Sequence, residues 1–330
     1  MTSSCWQVTE DGPGPDQFDT AAPYAVHDAV MSDGAVIRLR RHGNPEGPRL
    51  ALSHGNGLAI QGYVDFWRLL MPDYDLILFD MRNHGENPLH AAENHLWERF
   101  ADDMEELRDA MDRAFGQKPV TGVFHSLSAV TSVMHADRYP GRWSGLVLFD
   151  PPIYPRDGHP LQPVEYSHMR EMDQRARRRP PYYDRPGLLA AQFRRRPEFA
   201  RWVPGAAGRL AEATLRKDDM RDRWELCCPR ELEAHVYLSN TDVSVWNALC
   251  RPLPIPVSII AADPTLEGQP PPAKICRALA EEATAIAYRS IPDTTHFLQI
   301  EQPEMCLAAL KDALEGRLGN QVADGAATSP

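Results

Sequence analysis

The chain has 330 residues, of which 43% are hydrophobic and 25% charged, the balance of a globular protein with a sizeable core. Its formal net charge of −11 excludes the basic surface on which general nucleic-acid binding depends. The sequence shows neither the ~18 consecutive apolar residues of a membrane span nor the basic and apolar regions of a secretory signal. The six cysteines lack any metal-like spacing, so we expect reduced thiols in a cytoplasmic protein.

Residues 1–24 are rich in Gly, Pro and Asp, which predicts a loose N-terminal arm. Beyond the arm, short apolar strands alternate with amphipathic helices, starting with a hairpin around Asp33-Gly34. The predicted strands are 25–31, 35–41, 50–53, 76–79, the run from Val120 into His125, 146–149, 257–261 and 285–291. This alternation predicts an α/β fold with a mostly parallel eight-stranded sheet that helices cover.

Residues 153–250 interrupt the alternation with several helices, Pro-rich joints and no convincing core strand, which predicts a helical cap. Within 151–210, 12 arginines outnumber 6 acidic residues. This basic segment is either a solvated helical face with internal ion pairs or a lid that attracts an anionic substrate or cofactor tail. The core is then predicted over 25–152 and 251–316, and a disordered tail over 317–330.

Polar clusters follow several predicted strands, where ligands bind in open α/β sheets. Their members are residues 54–57, residues 80–85, His125-Ser126, Asp263 and, after the last strand, His296. A serine needs an imidazole to take its proton, and the imidazole needs a carboxylate to fix its tautomer. Ser126, Asp263 and His296 occur in the order Ser…Asp…His, which favours a nucleophilic serine site. The sequence leaves Asp150 and Asp293 open as alternative acids.

These clusters resemble those of the α/β-hydrolase superfamily, specifically its serine hydrolases with a helical cap, over roughly residues 25–315. The resemblance rests on Ser-His-Gly-Asn-Gly at 53–57, Asp-Met-Arg-Asn-His-Gly at 80–85, His125-Ser126-Leu127-Ser128, Asp263-Pro264, and the stretch from His296 to Glu304. The loop at 80–85 is similar to that of bacterial and mitochondrial esterases that act on short acyl esters and thioesters.

The resemblance implies that Ser126 is the nucleophile, His296 the general base and Asp263 the orienting acid. It also implies an oxyanion hole made by the backbone N–H groups of Asn56 and Leu127. Each residue has a structural alternative: a serine caps helices, an aspartate before proline forms turns, and a glycine after histidine makes a tight turn.

Two positions depart from the Gly-x-Ser-x-Gly motif of that superfamily, because Phe124 and Ser128 replace its glycines. Phe124 is bulky where close packing normally excludes bulk, so either the turn is open or the ring faces a pocket. If Ser128 were the nucleophile, bulky Val130 would stand at a flanking position, so Ser126 is favoured. In addition, no Gly-x-x-Asp precedes Asp263.

The substrate pocket is expected to draw on three parts of the chain. The candidates are His54, Gly55 and Gly57, the elbow residues Phe124 and His125, and Tyr182, Tyr183 and Trp246 from the cap. The aromatic residues have packing as an alternative role. The alternative role of Asp80, Arg82 and His84 is structural: they would form an ion-paired loop that braces the sheet.

The sequence therefore predicts a serine hydrolase that cleaves a small-molecule ester or thioester through an acyl-enzyme, with no metal, organic cofactor, nucleic acid or membrane partner. Alternatives on the same scaffold are a lactonase, a carbon–carbon bond hydrolase, an acyltransferase and a perhydrolase. A non-catalytic ligand-binding homologue is an alternative of a different class. Acyl-chain length and oligomeric state are not specified by the sequence.

Overall fold

A computed structural model of the chain describes residues 22–322. Its strands are β1 (Ala25–Val30), β2 (Val36–Gly43), β3 (Arg49–Ser53), β4 (Asp75–Phe79), β5 (Val120–His125), β6 (Gly145–Phe149), β7 (Tyr182–Tyr183), β8 (Leu215–Asp218), β9 (Arg223–Leu226), β10 (Val257–Ala261) and β11 (Ala287–Ser290). Its α-helices are α1 (Val64–Trp67), α2 (Trp97–Phe115), α3 (Leu127–Arg138), α4 (Gln162–Arg178), α5 (Pro186–Arg194), α6 (Ala206–Ala213), α7 (Arg230–Ser239), α8 (Ser244–Leu249), α9 (Pro271–Glu282), α10 (Leu298–Glu301) and α11 (Pro303–Leu314). Short 3₁₀ turns lie at Ile60–Tyr63, Arg68–Leu70, Ala92–Asn94 and Pro197–Phe199.

Eight strands form the main sheet in the order β1-β2-β4-β3-β5-β6-β10-β11. The β1–β2 and β2–β4 pairs are antiparallel, and the pairs from β4 to β11 are parallel. The mostly parallel eight-stranded sheet predicted from the sequence is therefore confirmed. Its parallel strands place their carboxyl ends along one edge, where the polar clusters of the sequence meet.

Apolar side chains explain why the central strands are sandwiched between helices. Every residue of β3, β4, β6 and β10 is buried, as expected for parallel strands that helices cover on both faces. Successive residues of a strand point to opposite faces, so Ala51 enters one apolar layer while Leu50 and Leu52 enter the other. Helices α2, α3 and α9 cover the first layer, and α1 and α11 cover the second.

The inserted segment between β6 and β10, residues 153–250, contains α4 to α8 and a small antiparallel sheet in the order β7-β9-β8. This small sheet differs from the purely helical cap that the sequence predicts. Its strands are two to four residues long, and Leu-Arg-Lys-Asp in β8 lacks the apolar alternation that would reveal a strand. Helices α4 and α7 pack along each other.

The chain ends bear on two predictions. The predicted arm lies outside the described residues except for 22–24, where the Tyr24 N–H donates to the Arg41 carbonyl. Of the predicted tail, residues 317–322 are ordered, because Leu318 is buried and the Tyr288 N–H donates to the Gly319 carbonyl at 3.0 Å. Residues 323–330 lie outside the description.

Two general expectations concern the described part of the chain. The five cysteines within residues 22–322 are unpaired, and Cys5 lies outside this range. Within the same residues, none of the helices has the length and apolar character needed to cross a bilayer.

Candidate active site

The turn between β5 and α3 displays a serine hydroxyl at the carboxyl edge of the sheet. Ser126 has φ 55° and ψ −115°, an uncommon conformation for a residue with a side chain. Its N–H donates to the Phe149 carbonyl at 3.1 Å, which fixes the turn to the neighbouring strand β6. This strained turn holds Oγ clear of the sheet and beside the first N–H groups of α3, in the way that a nucleophile is displayed.

A hydrogen-bonded chain runs from this hydroxyl through an imidazole to a carboxylate. Nε2 of His296 lies 3.0 Å from Oγ of Ser126, and Nδ1 of His296 lies 2.7 Å from Oδ2 of Asp150. Asp150 is buried, and its Oδ1 accepts the Ala262 N–H at 3.0 Å. The carboxylate therefore places the proton on Nδ1 of the imidazole and leaves Nε2 free to accept one from the serine.

The carboxylate in this hydrogen-bonded chain is that of Asp150. The expectation that Asp263 orients His296 is therefore wrong. Oδ1 of Asp263 accepts the Thr265 N–H and hydroxyl at 2.9 and 2.6 Å, and its Oδ2 accepts the Asp293 N–H at 3.0 Å. Asp263 thereby holds the turn that follows β10 and the loop that leads to His296. Its place after a core strand fits either an orienting acid or a residue that forms a turn.

The sheet order is the physical reason for this correction. Strand β6 lies directly beside β5, and His125 pairs with Phe149, so Ser126 and Asp150 leave the sheet side by side. Asp263 follows β10, one strand farther from the serine. Both acids lie between Ser126 and His296 in the chain, so the order Ser…Asp…His fits either of them.

Phe124 packs into the core and faces neither an open turn nor a pocket. Its ring is fully buried, with its centroid 6.1 Å from that of Phe79 and 5.4 Å from that of Trp143. The ring lies over Gly122, where an added Cβ would stand 2.3 Å from Cε2 of Phe124. The small residue that normally stands at position 124 is thus found at Gly122, two positions earlier on the same face of β5.

The loop after β3 passes directly against Ser126. A Cβ on Gly55 would lie 3.0 Å from Cβ of Ser126, so only glycine allows this approach. Next to it, Asn56 is held by a hydrogen bond from Nδ2 to the Glu233 carbonyl at 2.8 Å. The Leu127 N–H opens α3 and has no acceptor within the helix. Asn56 and Leu127 both line the cavity that contains Ser126, and their N–H groups remain oxyanion-hole candidates.

A cavity of ≈ 840 Å³ opens beside Ser126 and His296, and the pocket residues predicted from the sequence do not line it. Those residues are His54, Gly55, Gly57, Phe124, His125, Tyr182, Tyr183 and Trp246. The pocket expectation is therefore wrong for these positions. Each side chain or glycine contributes to packing or hydrogen bonding instead.

His54 braces the loop that passes against Ser126. It is fully buried, and its Nδ1 donates to the Gly55 carbonyl at 2.7 Å, while Nε2 accepts the Met81 N–H at 3.1 Å. Burial lowers the pKa of His54 despite the neighbouring Asp80 carboxylate. The neutral ring ties the loops after β3 and β4 together.

His125 connects three segments of the site. The Gly55 N–H donates to Oη of Tyr63 at 3.4 Å, and Tyr63 Oη lies 2.7 Å from Nδ1 of His125. Nε2 of His125 lies 2.8 Å from the carbonyl of His296. Burial, followed by the nearby His296, lowers the pKa of His125 well below its usual value, so the ring is neutral. It positions the loop that carries His296.

The aromatic candidates of the inserted segment pack away from the cavity. Tyr182 is exposed and lies under the Arg223 guanidinium, 3.4 Å from its Cζ to the ring centroid. Tyr183 is buried in a small apolar cluster with Leu189 and Leu215. Trp246 is fully buried, and its Nε1 donates to Glu282 at 3.3 Å. The packing alternative is correct for all three aromatic residues.

The cavity is instead lined by one face of α4 and its C-terminal extension, which the sequence analysis missed. The residues of this face are Glu165, His168, Met169, Met172, Arg175, Ala176 and Arg179. They recur every three or four positions, the spacing of one helical face, so the signal was present in the sequence. Burial, together with the Asp150 charge, raises the pKa of Glu165 to about 8. A neutral carboxyl group therefore lines the cavity that also contains Ser126 and His296.

The loop at 80–85 is an ion-paired loop that braces the sheet, which is the structural alternative to a role in the pocket. Oδ2 of Asp80 accepts from Nη2 of Arg40 at 2.8 Å, and both side chains are buried. Arg82 pairs with Asp33 at 2.8 Å and with Asp103 at 2.7 Å. These ion pairs hold the loop against β2 and α2, below the cavity.

Among the described residues, one buried group has metal-ligand chemistry: His84, His95 and Cys228 place their donor atoms within 4.8 Å of one another. Both ring nitrogens of His84 are already engaged, since Nδ1 donates to the Arg82 carbonyl at 2.9 Å and Nε2 accepts the Gly57 N–H at 3.1 Å. Only two donors remain, fewer than the three or four protein ligands of a zinc site, so we assign no metal to this cluster.

Comparisons with known proteins agree with this architecture. A family model described as serine aminopeptidase, S33, matches residues 46–204. Human monoglyceride lipase is 29% identical over 127 residues, which are 37% of this chain and 41% of the lipase, so the chain spans about two-fifths of that relative. The crystal structure of E-2-(acetamidomethylene)succinate hydrolase superposes with a TM-score of 0.72 at 17% identity, covering 88% of this chain and 99% of the other. An α/β hydrolase from Novosphingobium aromaticivorans superposes with a TM-score of 0.68 at 17% identity, covering 89% and 99%.

Proposed function

We propose that this chain is a serine hydrolase of the α/β-hydrolase superfamily, and that it cleaves a carboxylic ester or thioester of a small molecule through an acyl-enzyme. The observation that carries this proposal is the continuous hydrogen-bonded chain from Ser126 through His296 to Asp150. Its groups have the distances and order that nucleophilic catalysis by serine requires.

In this mechanism, Nε2 of His296 takes the proton of Ser126 as Oγ attacks the substrate carbonyl. The buried carboxylate of Asp150 stabilises the imidazolium that forms. The backbone N–H groups of Asn56 and Leu127 receive the charge of the tetrahedral intermediate. His296 then protonates the leaving group and activates the water that releases the acyl group, so the reaction needs no cofactor.

An ester or thioester is proposed as substrate because the triad supplies the nucleophile, the base and the orienting carboxylate that its hydrolysis requires. Monoglyceride lipase, the relative found by sequence, is by its name an ester hydrolase. A cytoplasmic location, expected from unpaired cysteines, belongs to the same proposal.

A fluorophosphonate probe tests the nucleophile, since it phosphonylates activated serines. We expect the wild-type protein to be labelled and Ser126→Ala to be unlabelled. Ser128→Ala is the matched control, because Oγ of Ser128 only donates to the His125 carbonyl at 3.0 Å and accepts the His125 N–H within the same turn. This variant should retain labelling.

Hydrolysis of p-nitrophenyl esters of increasing chain length, with lactones and acyl-CoA thioesters, then defines the substrate class. A folded wild-type protein that resists the probe and turns over none of these substrates would contradict the proposal and favour a non-catalytic binding protein. Labelling that survives in Ser126→Ala and disappears in Ser128→Ala would reject the assignment of the nucleophile.

A further inference from the structure

The cavity beside the triad carries more positive charge than the protein around it. The whole chain has a formal charge of −11. Five arginines line the cavity, namely Arg175, Arg178, Arg179, Arg196 and Arg201. The carboxylates that line it are Glu165, Glu198, Glu233 and Glu267, and Glu165 is neutral below its pKa of about 8. The lining therefore has an excess of cations in an acidic protein.

Two of these guanidinium groups are held in place by carboxylates. Nη1 of Arg179 lies 2.8 Å from Oε2 of Glu233, a buried side chain that packs against Gly57 in the loop after β3. Nη2 of Arg175, one turn earlier on α4, lies 2.9 Å from Oε1 of Glu198. Each ion pair uses part of a guanidinium, so both of these cavity-lining residues keep further N–H donors for a ligand.

The third guanidinium, that of Arg196, reaches the same cavity from the segment after α5. Within the described residues, it has no carboxylate within salt-bridge distance. Although Arg196 is exposed, partial burial and then the nearby Arg175 lower its pKa; Glu198 opposes this shift, and Arg179 adds to it. The three cations are thus close enough to repel one another, and an anion bound between them would relieve that repulsion.

We propose that Arg175, Arg179 and Arg196 form an anion-binding subsite, and that the substrate of the proposed hydrolase carries an oxyanion, most simply a carboxylate, away from the carbonyl that is attacked. This inference rests on the proposed function and names its substrate class. Planar guanidinium groups match the geometry of a carboxylate or phosphate through paired hydrogen bonds. Met169 and Met172, on the same face of α4, supply apolar surface between Glu165 and the arginines.

The experiment compares two p-nitrophenyl esters of equal chain length, the anionic glutarate monoester and the neutral valerate. The wild-type protein should have a higher kcat/KM for the glutarate ester, and added salt should reduce this preference. Arg196→Gln should lower kcat/KM about tenfold for the glutarate ester and by a much smaller factor for the valerate ester, since one charge-assisted hydrogen bond is lost only with the anionic ester. Competitive inhibition of valerate hydrolysis by glutarate or by inorganic phosphate distinguishes a carboxylate from a phosphate ligand.

Arg195→Gln is the matched control, because Arg195 is adjacent in sequence, has the same charge and is exposed like Arg196, but does not line the cavity. It should change neither rate more than twofold. Equal hydrolysis of both esters by the wild type, or equal effects of the two substitutions, would overturn the anion subsite while leaving the hydrolase intact. If neither ester reacts and the probe does not label, the proposed function fails, and calorimetric titration with glutarate decides the subsite. Binding that is lost in Arg196→Gln supports it, and no binding to wild type rejects it.

Discussion

Asp150 and Asp263 are both aspartates at the ends of core strands, and their surroundings give them different functions. Asp150 is buried and directs one oxygen to His296 and the other to the Ala262 N–H. Asp263 is partly exposed and accepts hydrogen bonds from Thr265 and from the Asp293 N–H. The first fixes an imidazole, and the second fixes a loop.

Substituting each aspartate by asparagine should separate these functions. We expect Asp150→Asn to lower kcat by a factor of about 10³–10⁴, because the amide favours the wrong imidazole tautomer. Asp263→Asn should lower kcat by less than about tenfold, since the remaining effect is on loop order. Steady-state kinetics on a p-nitrophenyl ester, with thermal melting of both variants, measures this difference. A greater loss of kcat in Asp263→Asn than in Asp150→Asn would restore Asp263 as the acid.

Glu165 should make the protein less stable as the pH rises. Its pKa is about 8 in the folded chain, above the ordinary value of 4.5, so folding retains a proton that the unfolded chain releases. Stability from this group is complete below about pH 4.5 and is lost as the pH approaches 8, at ~1.4 kcal/mol per pH unit. Glu165→Gln removes this loss, so the variant should gain stability over wild type between pH 5 and pH 8.

Urea unfolding at both pH values measures this gain. Glu171→Gln is the control, since Glu171 is exposed on the same helix and its substitution should leave the pH dependence unchanged. The assignment of a neutral Glu165 fails if wild type and Glu165→Gln lose stability in parallel between pH 5 and pH 8.

At the turn between strand β5 and helix α3, Phe124 packs into the core. The sequence predicted that its ring would face a pocket or that the turn would be open. The ring of Phe124 fills the space above Gly122, and a Cβ at that glycine would also lie 2.8 Å from Cδ2 of Leu146. The superfamily motif has a glycine at position 124. Here the glycine stands at position 122 instead, and the ring of Phe124 covers it on the same face of the strand. The two residues are expected to depend on each other.

A double-mutant cycle tests this dependence. Gly122→Ala should destabilise the protein by about 1–3 kcal/mol, because the buried ring cannot move away. Phe124→Ala should cost about 3–5 kcal/mol through the cavity it leaves. In the double variant the alanine Cβ enters that space, so its total cost should be smaller than the sum, as chemical denaturation would show. Additive costs would mean that the two positions do not share the space.

The elements whose chemistry follows from local pattern could be predicted from the sequence. Apolar strands ending in polar loops gave the sheet, and the strand–turn–helix at Ser126 gave the nucleophile candidate. The partner of His296 depended on which strand lies beside β5, and strand order is a property of the assembled sheet. The direction of the Phe124 ring likewise depended on Gly122 and on contacts with Phe79 and Trp143, which are distant in sequence.

The inserted segment illustrates the same limit at a larger scale. Its excess of arginine was visible in the sequence, but the choice between internal ion pairs and a cationic lid was not. The structure contains both kinds of arginine. Arg177 pairs with Asp173 outside the cavity lining, whereas Arg196 reaches the cavity without a carboxylate partner within salt-bridge distance among the described residues. Only the packing of α4 against α7 and the core decides which side chains face inward.

Taken over the whole molecule, folding buries histidines in their neutral form. Burial is the main cause that lowers the pKa of each member of this group. Its members are His54, His84, His95, His125, His135 and His168. His54 and His84 lie in the loops after β3 and β4, and His125 ends β5 directly before Ser126, so acid acts on the framework of the site itself. Between about pH 4.5 and pH 6.5, Glu165 acts in the opposite direction and offsets the effect of about one histidine.

Stability should therefore fall as the pH drops below about 6.5. The unfolded chain gains protons there that the folded chain excludes, so each buried histidine contributes up to ~1.4 kcal/mol per pH unit. The pKa of His168 is lowered to about 4, and its place in the cavity lining allows a substitution without disturbing the core. His168→Asn should reduce the slope of unfolding free energy against pH by one histidine's share between pH 6.5 and pH 4.5. His235→Asn, an exposed position on α7, should leave that slope unchanged, and an equal reduction in both variants would contradict the role of burial.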